Sequence, residues 1–163
     1  MDIADAQTAD LMSIQAIYAH HVLTGTGTFE DVAPPLEEMQ ARYAANIAAG
    51  FAWLVARDAS GILGFGYFAP FRARAAYRHT VEDSVYVRDG VRGQGVGKAL
   101  VSALLERARG QNFKQMLALI GDSENTASIG VHASLGFQHC GTMRKVGQKF
   151  DRWLDVVIMQ KAL

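Results

Sequence analysis

The chain reads as an α+β fold in three α/β layers, with a mixed, mostly antiparallel twisted sheet of about seven strands flanked by about four helices. Three observations predict it. Apolar residues recur at helical spacing twice before Gly50, and then the period falls to two across three runs separated by turn and loop residues. A later apolar run, Gln115 to Ile120, stands between two helical segments and is continuous, as in a strand buried on both faces of a parallel pair. Two further strand-like runs close the chain around a polar turn.

Residues 2–6 fit a short first strand. Thr8 or Asp10 can cap the helix that follows, in which Leu11, Ile14, Ile17 and Tyr18 share a face to about His20; His20 and His21 read as its end. Thr24 to Glu30 carries neither period and is expected to be an irregular loop. Pro34 and Pro35 open a second helix, since proline is tolerated in a first turn. Its stripe is Leu36, Met39, Tyr43 and Ile47, and Gly50 stops it. Ala52 to Ala56 is a strand, Asp58 to Gly61 a hairpin turn, and Ile62 to Phe68 the returning strand, where Gly64 and Gly66 mark a bulge or a close backbone approach. Phe71 to Ala75 is a loop, and Tyr77 to Val87 the third strand of the set. Val96, Leu100, Leu104 and Ala108 then repeat every four residues, as on one helix face. After Gln115 to Ile120, the segment Asp122 to Thr126 supplies caps for a helix from about Asn125 to Leu135, and Gly136 sits where a left-handed stop belongs. Phe137 to Val146 and Trp153 to Met159 pair across a turn at Gly147, Gln148 and Lys149.

Composition narrows the function. The chain has 163 residues, half of them hydrophobic, which suits one domain over residues 1–163. A chain of this length buries about 70% of the surface its unfolded form exposes. Sixteen basic residues balance sixteen acidic ones, so nothing points to a nucleic acid or another polyanion as partner. Cys140 is the single cysteine; it has no disulfide partner or metal-ligand spacing and reads as a buried strand residue. The amino terminus lacks a secretory pattern and no apolar run reaches membrane-spanning length, so the expectation is a soluble cytoplasmic protein without a membrane partner.

The stretch from Val87 to Lys98 carries the chemistry. Gly93, Gly95 and Gly97 lie between a strand and a helix, with Arg92 and Lys98 beside them. Glycines there let the backbone turn tightly and leave N–H groups uncovered at the positive end of a helix, which binds phosphate. Two nucleotide motifs fail on spacing. A Walker A loop would need glycine at Arg92 and Ser or Thr at Ala99, and a G-x-G-x-x-G fingerprint starting at Gly93 would need its third glycine at Lys98.

Arg92, Gly93, Gln94, Gly95, Val96 and Gly97 match the Arg/Gln-x-x-Gly-x-Gly/Ala signature of the GNAT superfamily of acetyl-CoA-dependent N-acetyltransferases, and the element order resembles the GNAT fold along essentially the whole chain. Asn125 to Ser128 and Leu135 to Phe137 resemble that superfamily's acetyl-CoA-proximal helix and its closing Gly-Phe. Within the superfamily, Tyr77 to Val87, Ser128 to His132 and Arg152 to Val156 resemble the phosphinothricin and methionine sulfoximine (methionine sulfone) acetyltransferases. The resemblance implies acetyl-CoA as acetyl-donor cosubstrate, a small amino-acid-like amine as acceptor, direct attack with general-base help, and a homodimer. Two alternatives stay open: acetylation of a peptide or protein amino group, and a non-catalytic acetyl-CoA-binding protein of the same fold.

The resemblance also distributes roles. Glu82 matches the catalytic glutamate, a general base in reach of an ammonium proton directly or through a water; pairing with Arg74 or Arg78 is the structural alternative. Val85, Tyr86 and Val87 are expected to use their backbone, pairing with the pantetheine arm where the strand splays and polarising the thioester oxygen. His132 stands where many superfamily members have a tyrosine, and is an acid for the departing thiolate, part of a proton relay, or a structural helix histidine; Tyr86 is the second candidate donor. Arg92 to Lys98 hold the diphosphate. Asn125 and Ser134 match cofactor-bonding positions, although Asn125 equally suits a helix cap. Arg72 and Arg74, with Ala73 between them, are placed to clamp acceptor oxyanions, since guanidinium forks bind them bidentately, or are solvated loop residues. Phe29, Asp83 and Ser84 complete the expected acceptor site.

Overall fold

The computed structural model describes residues 1–163. Its elements are β1 (Asp2–Asp5), α1 (Leu11–Thr24), α2 (Leu36–Ala48), β2 (Trp53–Asp58), β3 (Gly61–Pro70), β4 (Thr80–Val87), α3 (Val96–Gly110), β5 (Gln115–Gly121), α4 (Thr126–Ser134), β6 (Gln138–Lys149) and β7 (Arg152–Ala162). One seven-stranded sheet runs in the order β1-β2-β3-β4-β5-β7-β6, and only the β4–β5 pair is parallel. The mixed, mostly antiparallel sheet and its four helices agree with the pattern of periods in the sequence.

Two apolar cores make the three layers. On one face, Leu11, Ile14 and Val22 of α1 and Met39 of α2 pack on Trp53, Val55 and Phe65. On the other, Val96, Leu100 and Leu104 of α3 pack with Val81, Met116 and Phe137, joined by Ile129 and Val131 of α4. The expected irregularity in β3 is a bulge and a close approach together. Ala56 faces Gly64 and Arg57 faces Ile62, which leaves Leu63 as the extra residue. A Cβ on Gly64 would lie 2.7 Å from the Tyr86 carbonyl oxygen and 3.2 Å from Val96, so glycine there lets α3 seat on the sheet.

Several boundaries differ from the sequence reading. α1 continues to Thr24, so His20 and His21 lie in its last turns rather than at its end. The third strand of the set begins at Thr80, because Ala75–Tyr77 forms a 3₁₀ turn. The last hairpin turns at Phe150 and Asp151, both with positive φ (51° and 56°), while Gly147 to Lys149 belong to β6. Cys140 is exposed, not buried, because β6 is the edge strand of the sheet. No helix is long and apolar enough to cross a membrane.

Candidate active site

The parallel pair opens into a fork. β4 pairs with β5 only from Thr80–Gln115 to Asp83–Ala118. Beyond that point Ser84 to Val87 and Leu119 to Gly121 separate and together line a cleft of about 720 Å³. Backbone groups alternate in direction along a strand. The Thr80 carbonyl accepts from Phe71 N–H, Tyr86 faces Phe65, and Arg88 N–H donates to the Leu63 carbonyl, so the even residues of β4 bond to β3. Val85 and Val87 therefore turn their peptide groups into the fork. Tyr86 does not: its backbone serves β3, and its ring packs among Phe65, Tyr18 and His21. Burial pushes the Tyr86 phenol well above its usual range, which weakens it as a proton donor.

The glycine-rich turn closes one end of this cleft. Gly90, Gly93 and Gly95 have φ of 81°, 80° and 80°, the left-handed region that favours glycine. Gly95 is the N-cap of α3 and supplies no side chain to the first turn, whose N–H groups and dipole are left for a ligand. Arg92, Gly93, Gly95, Val96, Gly97 and Lys98 line the cleft. Arg92 and Lys98 are exposed and in no ion pair, so both charges are free for an anion. Gln94 is exposed and stands outside the lining.

α4 forms the opposite wall. The Asn125 side chain accepts from Ser128 N–H at 3.3 Å, so its capping role is realised while it also lines the cleft. Ser134 lines the cleft and donates to the Val131 carbonyl at 2.8 Å. His132 is buried, with Nε2 3.0 Å from Asp83 Oδ2 and Nδ1 2.8 Å from the Ser128 carbonyl. Burial works to lower its pKa, but the Asp83 hydrogen bond and charge and the Ser128 carbonyl outweigh it, and the net direction is upward.

Glu82 and His132 occupy opposite faces. Side chains alternate along β4; Val81, Val85 and Val87 join the core under α3 and α4, whereas Tyr86 joins the core under α1. Glu82 and Ser84 share the Tyr86 face. Asp83 turns the other way, to His132, and this orientation removes its carboxylate from the expected acceptor set. Glu82 is in no ion pair, and neither Arg74 nor Arg78 holds it. Burial, followed by the Asp83 charge, raises its pKa above 4.5, and Arg72 opposes them. Arg72, Ala73 and Arg74 are exposed in the loop before β4, with Arg72 over the Phe71 ring at 5.0 Å. Phe29 rests on Gly121 and Gly147, where a Cβ would collide with its ring.

The amino-acid sequence matches the acetyltransferase (GNAT) domain over residues 3–158. This chain belongs to the GNAT acetyltransferases. It is 49% identical over 154 residues to phosphinothricin N-acetyltransferase of Alcaligenes faecalis, covering 94% of this chain and 78% of that one. It is 46% identical to the L-methionine sulfoximine/L-methionine sulfone acetyltransferase of Pseudomonas paraeruginosa, over 97% and 92% of the two chains. Among solved structures, the GNAT superfamily phosphinothricin acetyltransferase of Sinorhizobium meliloti in complex with acetyl-CoA superposes with a TM-score of 0.96 at 42% identity, over 99% of this chain and 88% of that one. The protein is an acetyl-CoA-dependent N-acetyltransferase, and acetyl-CoA is its acetyl donor.

Three features of this GNAT site escape sequence reasoning. His21 lines the cleft with Nε2 2.8 Å from the Val87 carbonyl. Lys149 is buried and donates from Nζ to the Thr28 carbonyl at 2.9 Å, which ties the Thr24 to Glu30 loop to β6. Thr26 donates to Asp122 at 2.6 Å and fixes the same loop to the end of β5. Each joins residues far apart in the chain, and no local pattern marks them.

Proposed function

We propose that this GNAT enzyme acetylates the primary amine of a small amino-acid-like acceptor of the phosphinothricin or methionine sulfoximine type, by direct attack with Glu82 as general base. The observation that carries the reading is the Glu82 carboxylate: half-buried, free of any ion pair, raised in pKa, and one residue before the point where β4 leaves β5. A raised carboxylate pKa brings a base closer to the operating pH, where it takes a proton more effectively. The names of the relatives above support the acceptor class.

The acceptor approaches on the α1/α2 face, and its ammonium loses a proton to Glu82 directly or through a water. The freed amine attacks the thioester carbonyl; the C–N bond forms, the C–S bond breaks, the nitrogen sheds its second proton to water as the amide forms, and the thiolate takes up a proton. Backbone N–H groups of Val85 and Val87 in the fork stabilise the oxyanion and hold the pantetheine arm. Gly93 to Lys98, with Arg92, bind the diphosphate; Gln94 contributes through its backbone. Asn125 and Ser134 bond the cofactor from the α4 wall. The proton for the thiolate comes from the Asp83–His132 side of the fork. Arg72 and Arg74, flanking Ala73, clamp the acceptor's carboxylate and second polar group, Ser84 lines the floor, and Phe29 closes the side.

The domain spans residues 1–163, works in the cytoplasm and pairs as a homodimer. The exposed Met143, Val146, Phe150 and Trp153 near the β6–β7 turn suit such a contact. Thiol release measured over phosphinothricin, methionine sulfoximine, ordinary amino acids, polyamines and a peptide amino terminus tests the reading. Turnover with the first two is expected; turnover confined to the peptide overturns the acceptor class, and no thiol release with any acceptor overturns the enzyme reading.

A further inference from the structure

His21 does what a neighbouring strand would otherwise do. The Val87 carbonyl faces the fork, and β5, which would bond it in a continuous sheet, has already turned away after Ala118. A buried carbonyl without a partner is costly. The partner comes from α1, 66 positions away, where His21 Nε2 lies 2.8 Å from this oxygen. A carbonyl only accepts, so Nε2 carries the hydrogen. Two ring contacts hold the imidazole in place, Tyr86 at 5.5 Å and His20 at 5.9 Å between centroids. The Gly25 N–H closes the helix on the His21 carbonyl at 3.0 Å, and Gly25 itself lines the cleft.

Val87 is the last residue of β4, and its peptide leads into the turn that ends in Gly93 to Lys98. We propose that His21 is a positioning residue for acetyl-CoA: its Nε2–H replaces the missing strand bond to the Val87 carbonyl and sets the orientation in which β4 and the glycine-rich turn meet the cofactor. Burial, with Arg92 adding to it, lowers the His21 pKa against the pull of the Val87 carbonyl. The ring is thus neutral near neutral pH and holds the oxygen as a dipole, leaving the anion to Arg92 and Lys98.

The inference rests on the acetyl-CoA cleft and is independent of which amine is acetylated, so acetyl-CoA binding by calorimetry is the primary readout. His21→Leu removes the donor and strands the carbonyl; acetyl-CoA affinity should fall about tenfold, equivalent to about 1.4 kcal/mol. The acceptor KM, read at saturating acetyl-CoA, should stay near wild type, which separates the effect from the amine site. His21→Gln places an amide N–H where Nε2 stands and should retain affinity within about threefold of wild type. Wild-type affinity in His21→Leu overturns the proposal, as does His21→Gln binding as weakly as His21→Leu. If the leucine variant does not fold, His21→Asn replaces it: one methylene shorter than glutamine, it falls short of the carbonyl and should bind acetyl-CoA more weakly than His21→Gln. Equal affinity of the two amides overturns the assignment.

Discussion

Asp83 Oδ2 and His132 Nε2 meet at 3.0 Å across the fork of the sheet, with side-chain exposures of 1% and 3%. The second ring nitrogen faces the Ser128 carbonyl at 2.8 Å, which accepts only, so Nδ1 bears a hydrogen. A single proton then lies between Nε2 and the carboxylate, and the histidine has no spare N–H aimed at the cleft. The pair is a proton-holding bridge between β4 and α4. A proton delivered to a leaving thiolate from this side must come from that shared position, with the ring or the carboxylate moving to release it.

The bridge makes stability depend on pH. An imidazole whose pKa is raised by folding stabilises the fold fully below its unfolded value of about 6.5, and that contribution is lost as pH rises through the folded value. Asp83→Asn should lower the unfolding free energy by about 3 kcal/mol at about pH 6, the range for breaking a buried pair. The gap from wild type should narrow at pH values above the raised His132 pKa. Urea unfolding of both proteins at the two pH values checks this; a gap that does not change with pH removes the proton linkage.

Glu82 predicts a second pH effect. The proposed general base works deprotonated, so kcat/KM should rise with pH through the Glu82 pKa, and this limb should lie above the ordinary 4.5. Glu82→Gln should reduce turnover about a hundredfold or more and erase the limb, while acetyl-CoA affinity stays near wild type. The Arg72 charge opposes the upward shift. Arg72→Ala should therefore move the limb to still higher pH. A limb that stays in place, or moves down, would mean that another group controls it.

What the amino-acid sequence reveals here divides along a physical line. The glycine-rich turn, the Asn125 cap and the Gly136 stop are local: each is decided by a φ angle or a side chain reaching its own helix, so the residues at the spot announce them. The last hairpin is local too, yet misleading. Its turn falls on Phe150 and Asp151, which adopt positive φ without being glycine or asparagine, and Gly147 drew the turn three residues early. The opening of β4 from β5 leaves no local mark and was legible only through resemblance. Which face each β4 residue takes follows from alternation, but what waits on that face does not. Asp83 takes the face on which α4 places His132 against it, and His21, in the last turns of α1, meets the Val87 carbonyl of β4.

Gly64 and Gly130 predict opposite responses to the same added methyl group. At Gly64 a Cβ would stand 2.7 Å from the Tyr86 carbonyl, 3.2 Å from Val96 and 3.3 Å from Leu100, so β3 and α3 must part. Gly64→Ala should cost about 1–3 kcal/mol, as overpacking does. It should also weaken acetyl-CoA binding, because Tyr86 and Val96 line the cleft. At Gly130, inside α4, nothing lies within 4 Å of the added atom. Gly130→Ala should stabilise the protein by about 0.5–1 kcal/mol through helix propensity alone. Thermal unfolding of the two variants gives the signs; a destabilised Gly130→Ala or a neutral Gly64→Ala would contradict the packing described.

Gly90 and Gly95 separate backbone strain from ligand contact in the turn that dominates the chain. Both have left-handed φ, 81° and 80°, and neither has a heavy atom within 4 Å of an added Cβ. Alanine at either position should cost about 1–2 kcal/mol, the left-handed penalty, with no clash inside the protein. Only Gly95 lines the cleft and caps α3, whose first-turn N–H groups are the proposed diphosphate site. Gly95→Ala should therefore raise the acetyl-CoA dissociation constant severalfold, and Gly95→Val more, whereas Gly90→Ala should leave it near wild type at a similar loss of stability. Unfolding midpoints and acetyl-CoA titrations on the three variants distinguish the effects. Equal loss of affinity in Gly90→Ala and Gly95→Ala would mean that strain in the whole turn governs binding. Unchanged affinity in Gly95→Val would move the phosphate site elsewhere.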